Sequence, residues 1–244
     1  MAQPILIPAS FSANLPEVYN ILIHKMKNKK GFIFDLDGVI VDTAGFHYLA
    51  WRNLANELGF EFSEEQNENF KGVSRVRSLE LLLEIGGRTA SQEDKDVWLK
   101  TKNEEYLGYI ENMTPDDILP GVKPVLDYLK EKKVPLALGS ASKNAKPILK
   151  RVNLFDTFDT IVDGNDVQKA KPDPEVFLIG AQKLNVDQKN AIVFEDSIAG
   201  VQAANIAGMT SVGIGDKNFL HEAQYIFKDF TEIDTEFLDK LLNV

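Results

Sequence analysis

The chain has 244 residues, 44% of them hydrophobic and 26% charged, the balance of a soluble globular protein with ample material for a core. A formal net charge of −10 excludes general affinity for nucleic acid or anionic membranes, which need basic surfaces, but leaves room for a local basic pocket. The absence of cysteine excludes disulfides, thiolate metal sites and cysteine nucleophiles.

Pro16 near the start, with Val18, Ile21, Leu22 and Met26 on one face, predicts a short helix over 15–27 packed against the main body. The lysines that follow (Lys25, Lys27, Lys29, Lys30) come after the apolar residues, the reverse of a signal peptide. No apolar run approaches the roughly 18–20 residues that cross a bilayer, so a cytoplasmic protein is expected. Gly31-Phe32-Ile33-Phe34 reads as a buried strand and runs straight into Asp35 and Asp37, followed by Gly38 for a tight turn.

From about 45 to 113 the pattern is helical, with no good strand. Phe46, Ala50, Leu54 and Leu58 step by four, and Gly59 can end that helix. The stretch SRVRSLELLLEIGG is a second helix closing on Gly86-Gly87, and a third opens at Ser91 with two acidic residues in its first turn. From 114 the pattern alternates. Val122, Val125, Leu126 and Leu129 mark an amphipathic helix, and VPLALG is a short apolar run. Helices near 144–151, 174–184 and 197–207 then alternate with runs at Phe158–Val162, Ala191–Phe194 and Ser211–Ile214. The expected class is α/β: a parallel sheet covered on both faces, with an all-helical insert after the first strand. The expected division is an N-terminal extension at 1–30 that packs on the core, a core of 31–44 and 114–244, and a helical cap at 45–113. No dimerisation stripe is visible, so a monomer is expected.

Ligands of open parallel sheets bind beyond the carboxyl ends of the strands. Asp35 and Asp37 follow the first run, and Ser140, Ala141, Ser142, Lys143 and Asn144 follow the second. Asp163 to Asp166, then Lys171-Pro172, follow the third, and Glu195, Asp196 and Ser197 follow the fourth. Taken singly each is commonplace: a solvated loop, a turn, a helix cap. Their succession, each after a strand-like run, is not. Acids gathered at one edge repel one another and would take up protons unless a cation neutralises them. Mg²⁺ suits such a set, since it takes hard oxygen ligands, needs few from protein and leaves room for phosphate. One carboxylate could then be a nucleophile towards phosphorus and a second could move the proton. Ser140 with nearby N–H groups could hold phosphate oxygens, and Lys171 could balance the charge of transfer.

These residues resemble the haloacid dehalogenase-type phosphotransferases, over roughly residues 31–240, on Asp35-Leu36-Asp37-Gly38-Val39, Ser140, Lys171-Pro172 and Glu195-Asp196. Within the family the chain is most similar to the β-phosphoglucomutase branch, on FDLDGVIVDT (34–43), His47, Trp51, KGVSR (71–75), Lys102-Asn103, SASKN (140–144) and FEDSIAGVQA (194–203). The resemblance implies a Rossmann-like core with a helical cap and Mg²⁺. It also implies exchange of β-glucose 1-phosphate and glucose 6-phosphate through glucose 1,6-bisphosphate. By position, Asp35 would be the nucleophile and Asp37 the acid/base. Asp35, Asp37, Glu195 and Asp196 would form the metal site. Ser140, Ala141 and Lys171 would bind the transferring phosphate, and Ser142, Lys143 and Asn144 the other one. Thr43, His47, Lys71, Gly72, Arg75, Ser78 and Lys102 would meet the sugar phosphate.

Arg75 is apt for a second phosphate, because its planar fork matches phosphate oxygens in pairs. The expected partners are small sugar phosphates. A sugar-phosphate phosphatase with the same core is the alternative, since only the acceptor differs. A non-catalytic sensor is the third reading, against which the intact acids speak. The N-terminal extension and a second arginine near the loop, Arg77, depart from the pattern.

Overall fold

The computed structural model describes residues 29–243; the helix expected over 15–27, and the extension apart from Lys29 and Lys30, lie outside them. β1 (Gly31–Phe34) is wholly buried and forms parallel ladders with β2 (Leu136–Gly139) on one side and β4 (Ala191–Glu195) on the other. β3 (Thr160–Val162), β5 (Thr210–Ile214) and β6 (Tyr225–Phe227) complete the sheet, in the order β3-β2-β1-β4-β5-β6 with every pairing parallel.

Alternate side chains of β1 go to opposite faces, as the period of two demands. Phe32 and Phe34 join the larger core, and Ile33 joins the second. Phe34 stacks on Phe194 at 4.9 Å between ring centroids, and Phe230 continues the stack at 5.5 Å from Phe194. Each fully buried side chain of this size contributes roughly 1.5–3 kcal/mol.

Between β1 and β2 the chain is helical, as expected: α1 (Ala44–Glu57), α2 (Glu64–Asn67), α3 (Arg75–Ile85) and α4 (Gln92–Ile110). Ser63, Ser74 and Ser91 cap the last three, each accepting a backbone N–H. The insert has its own core of Trp51, Leu54, Ala55, Phe62, Phe70, Leu79, Leu82 and Leu83, which makes it a cap over the sheet edge. α5 (Val122–Glu131) buries the predicted stripe of Val122, Val125, Leu126 and Leu129, and α6 (Ala145–Arg151) covers the same face of the sheet. α7 (Glu175–Lys183) and α8 (Ile198–Ile206) cover the other face. α9 (Thr235–Asn243) ends the described chain, with Leu238 and Leu241 in the larger core.

The run at Phe158–Val162 yields a strand only from Thr160. Phe158 instead turns its ring edge to Phe34, and the Asp159 carboxylate accepts the Leu136 N–H at 2.8 Å. The sequence pattern did not announce α2, β6 or α9. β6 is a three-residue edge strand, half-buried throughout, too short for a period to show. No helix among the described residues is long and apolar enough to cross a membrane.

Candidate active site

β1 and β4 run side by side in register, so Asp35 and Glu195 emerge at one edge. The Asp35 N–H still bonds the Phe194 carbonyl at 3.0 Å, which fixes its position. The chain then turns sharply: Gly38 has φ +80°, and its N–H reaches the Val41 carbonyl at 2.8 Å. A Cβ on Gly38 would stand 2.1 Å from Asp196 Oδ2. Glycine is needed there for the left-handed backbone and for the close approach.

Lys171 is buried at this edge. Its Nζ donates to Asp35 Oδ1 at 2.6 Å and to Glu195 Oε1. The other Glu195 oxygen accepts the Ser197 N–H at 2.7 Å and the Ser197 hydroxyl at 2.8 Å. The sequence reading placed Glu195 among the metal ligands. Both its oxygens have protein donors here, Lys171 on one and Ser197 on the other, and it is the counter-ion of Lys171.

A cavity of about 490 Å³ lies between this edge and the cap. Asp35, Asp37, Asp196, Ser140, Ala141, Ser142, Lys143, Asn144 and Lys171 line it from the core. His47, Lys71, Gly72, Arg75, Ser78 and Lys102 line it from the cap. Thr43 is not in the wall; buried beneath it, its hydroxyl donates to Asp37 Oδ1. The expected acids after β3 are elsewhere: Asp163 and Asp166 pair with Lys146, at 3.2 and 3.7 Å. Arg77 is half-exposed and pairs with Glu80 and Glu84, turned away from the cavity.

Around the cavity the polar groups are fixed by neighbours. Ser140 Oγ accepts the Ser142 N–H at 3.0 Å, and Ser142 Oγ accepts the Asn144 N–H at 3.2 Å. These turns hold the loop after β2 against the opening. Ser78 spends its hydroxyl on the Ser74 carbonyl at 3.2 Å, which steadies the first turn of α3 and hence Arg75. Polar contacts cross from cap to core: Asn144 Nδ2 donates to Asn103 Oδ1 at 2.9 Å, and Lys71 Nζ lies 3.8 Å from Asp196 Oδ2.

Lys102 is 3% exposed and has no ion pair among the described residues. Its ammonium sits over the rings of Trp51 and Tyr106, at 4.6 and 4.8 Å, and 2.9 Å from His47 Nδ1. Burial, with Arg75 adding to it, brings its pKa down to about 7. Burial likewise holds the His47 imidazole well below its usual range, with Lys102 and Arg75 reinforcing the effect. His47 is therefore neutral, and its Nδ1 can accept from the lysine. Tyr106 escaped the sequence reading, although it lies four residues after Lys102 and so on the same helix face. Its ring packs 4.1 Å from that of His47.

Burial also raises Asp35, Asp37 and Asp196; Glu195 adds to all three, and Lys171 opposes it. The lysine itself is lowered by burial but raised overall by Asp35 and Glu195. Negative charge thus exceeds positive charge at the edge. Among the described residues no three acidic or imidazole groups form a ready-made cation cage. The donors that reach the cavity here, Asp35, Asp37 and Asp196, are all hard oxygens and few in number. That set fits Mg²⁺, which completes its shell with water and phosphate rather than protein, and it fits a softer metal poorly.

The haloacid dehalogenase-like hydrolase family profile matches residues 29–208. A β-phosphoglucomutase of Bacillus subtilis is 38% identical over 211 residues, 86% of this chain and 93% of its own. A phosphorylated carbohydrates phosphatase of Thermotoga maritima is 33% identical over 182 residues, 74% of this chain and 82% of its own. The crystal structure of a β-phosphoglucomutase from Clostridium difficile superposes with a TM-score of 0.84 at 40% identity, covering 88% of this chain and 97% of that one. The chain belongs to the haloacid dehalogenase-like hydrolase family.

Proposed function

We propose that the protein is a Mg²⁺-dependent phosphotransferase that interconverts β-glucose 1-phosphate and glucose 6-phosphate through glucose 1,6-bisphosphate. The observation that carries this reading is the cap wall: His47, Arg75 and Lys102 line the same cavity as Asp35 and Asp37. Transfer to water needs no such furnishing, whereas a sugar that must present two different oxygens in turn does. The similarity to two β-phosphoglucomutases, at 38% and 40% identity, supports it.

In this reading Asp35 carries the phosphoryl group as an aspartyl phosphate. The sugar 6-hydroxyl attacks phosphorus, the bond to Asp35 breaks, and Asp37 takes the hydroxyl proton. After the bisphosphate reverses its orientation in the site, Asp35 attacks the phosphorus on O1, the P–O1 bond breaks, and Asp37 returns its proton to O1, which leaves glucose 6-phosphate. Burial raises the Asp37 carboxyl from its ordinary value, with Thr43 and Lys171 opposing, which suits a group that must hold a proton and give it up. Ser140, Ala141 and Lys171 hold the reacting phosphate. Arg75, with Ser142, Lys143 and Asn144, holds the other. A dianionic phosphate near Lys102 favours its charged form, so substrate itself completes the cationic wall. Asp35, Asp37 and Asp196, with Glu195 beside them, would hold Mg²⁺, which when bound supplies positive charge against the phosphoryl oxygens. The closed cap excludes water from the phosphoenzyme.

A phosphatase is the second reading, supported by relatives named as phosphatases at 33% and 31% identity. One incubation separates them: the protein with Mg²⁺, β-glucose 1-phosphate and a trace of glucose 1,6-bisphosphate. Glucose 6-phosphate without free phosphate is the expected result. Free phosphate as the main product supports the phosphatase, and binding without either product supports a sensor.

A further inference from the structure

Lys71 does more in this structure than wait for a phosphate. Its ammonium is shared between Glu68 Oε2 at 2.9 Å on the cap and Asp196 Oδ2 at 3.8 Å on the core. The two acids differ in kind: Glu68 is half-exposed, and Asp196 is 12% exposed beside Asp35 and Glu195. The next residue seats the cap loop on the core. Gly72 has φ +72°, and a Cβ there would come within 2.4 Å of Ser197 Oγ. The loop therefore docks on the residue that follows Asp196, and Lys71 reaches towards that acid.

We propose that Lys71 stands in for the divalent cation: in the cation-free protein its ammonium, held by Glu68, also faces Asp196 and ties the cap loop to the core, and the arriving cation breaks the Asp196 contact and leaves the lysine on Glu68. This rests on the metal site of the proposed function. A Mg²⁺ at roughly 2.1 Å from Asp196 would lie within a few ångström of the ammonium, so the two cations exclude each other. The lysine has somewhere to go, because Glu68 already holds it at 2.9 Å. The exchange couples metal entry to loss of the Lys71 tie, while the contact of Gly72 with Ser197 keeps the loop seated. It frees Lys71 for a phosphate when the metal that phosphate needs is in place.

The test is Mn²⁺ binding, followed by the electron spin resonance of the free ion, in the wild type, Lys71→Gln and Glu68→Gln. Hydrogen exchange of the 71–75 loop is measured in parallel. Lys71→Gln should bind Mn²⁺ about three- to tenfold more tightly, since the competitor is gone. Glu68→Gln should bind it several-fold more weakly, because Lys71 loses its alternative partner. In the wild type Mn²⁺ should speed exchange in the loop, and in Lys71→Gln the loop should already exchange fast without metal. A general field effect would move the affinities but not the exchange. Equal affinities in all three proteins, or loop exchange indifferent to Mn²⁺ and to Lys71, overturn the proposal while leaving the metal site standing. Folded proteins none of which binds Mn²⁺ remove the metal site, and the proposal with it.

Discussion

Replacing Lys171 by methionine probes the charge balance on which the site is built. The ammonium is 1% exposed, 2.6 Å from Asp35 and 2.5 Å from a fully buried Glu195. At an effective dielectric near 20, each contact carries roughly 6 kcal/mol of attraction before desolvation is counted. Desolvating three charges cancels most of that. Deleting one partner is different, because it leaves buried carboxylates uncompensated, at a cost of about 3–5 kcal/mol. For a chain of this size that lowers Tm by about 6–20 °C. The sign with pH is fixed too. Without the cation the carboxylates hold their protons to higher pH in the folded state, so the variant gains relative stability as pH falls and they become protonated. Urea midpoints at about pH 7.5 and about pH 5.5 should show a deficit that shrinks at the lower value. Adding Glu195→Gln should recover about 1–3 kcal/mol, since one stranded charge is removed. A single variant within about 1 kcal/mol of wild type at both pH values would refute the reasoning.

Asp35→Asn should abolish turnover and the alkali-labile phosphoenzyme formed with glucose 1,6-bisphosphate; retained phosphoenzyme reassigns the nucleophile. Arg75→Ala should raise KM for the sugar phosphate about 10- to 100-fold, the worth of a paired charge-assisted contact, with Mn²⁺ affinity little changed. Unchanged kinetics would remove Arg75 from the site. Gly72→Ala combines a left-handed backbone, costing about 1–2 kcal/mol, with a collision at Ser197, and should lower kcat/KM at least tenfold without unfolding the protein. Wild-type kinetics in that variant would mean that the loop need not dock. Lys102 binds its proton less tightly in the folded chain, at about 7 against an ordinary 10.5. Between those values the unfolded chain holds the extra proton, so this residue makes stability rise with pH across that window, and Lys102→Met should flatten the rise. Equal slopes in urea unfolding of the two proteins would contradict the burial argument.

Much of the fold was legible because its strands are buried on both faces and read as short apolar runs, with amphipathic helices such as Val122–Glu131 between them. α9 was harder to see. A nine-residue amphipathic helix is marginal alone and forms because the larger core receives Leu238 and Leu241. At the site, the polar residues after β1, β2 and β4 were readable as a group. Asp163 and Asp166 looked equivalent to them, yet a lysine from α6 turned them aside. Tyr106 lacked any signal of its own beyond its helical spacing from Lys102.

By itself the sequence determined which chemistry was available: carboxylates, serines and lysines at the ends of apolar runs, on a chain without thiols. Tertiary structure decided which of them do what. It brought Lys171 onto Asp35 across 136 residues, and it sent Glu195 behind the cavity and Asp196 into it. It also left Lys102 buried beside a neutral His47. A carboxylate or an ammonium has one character in water. Its proton affinity and its partners in the folded chain depend on burial and on the charges around it, and those are set by positions that only packing brings together.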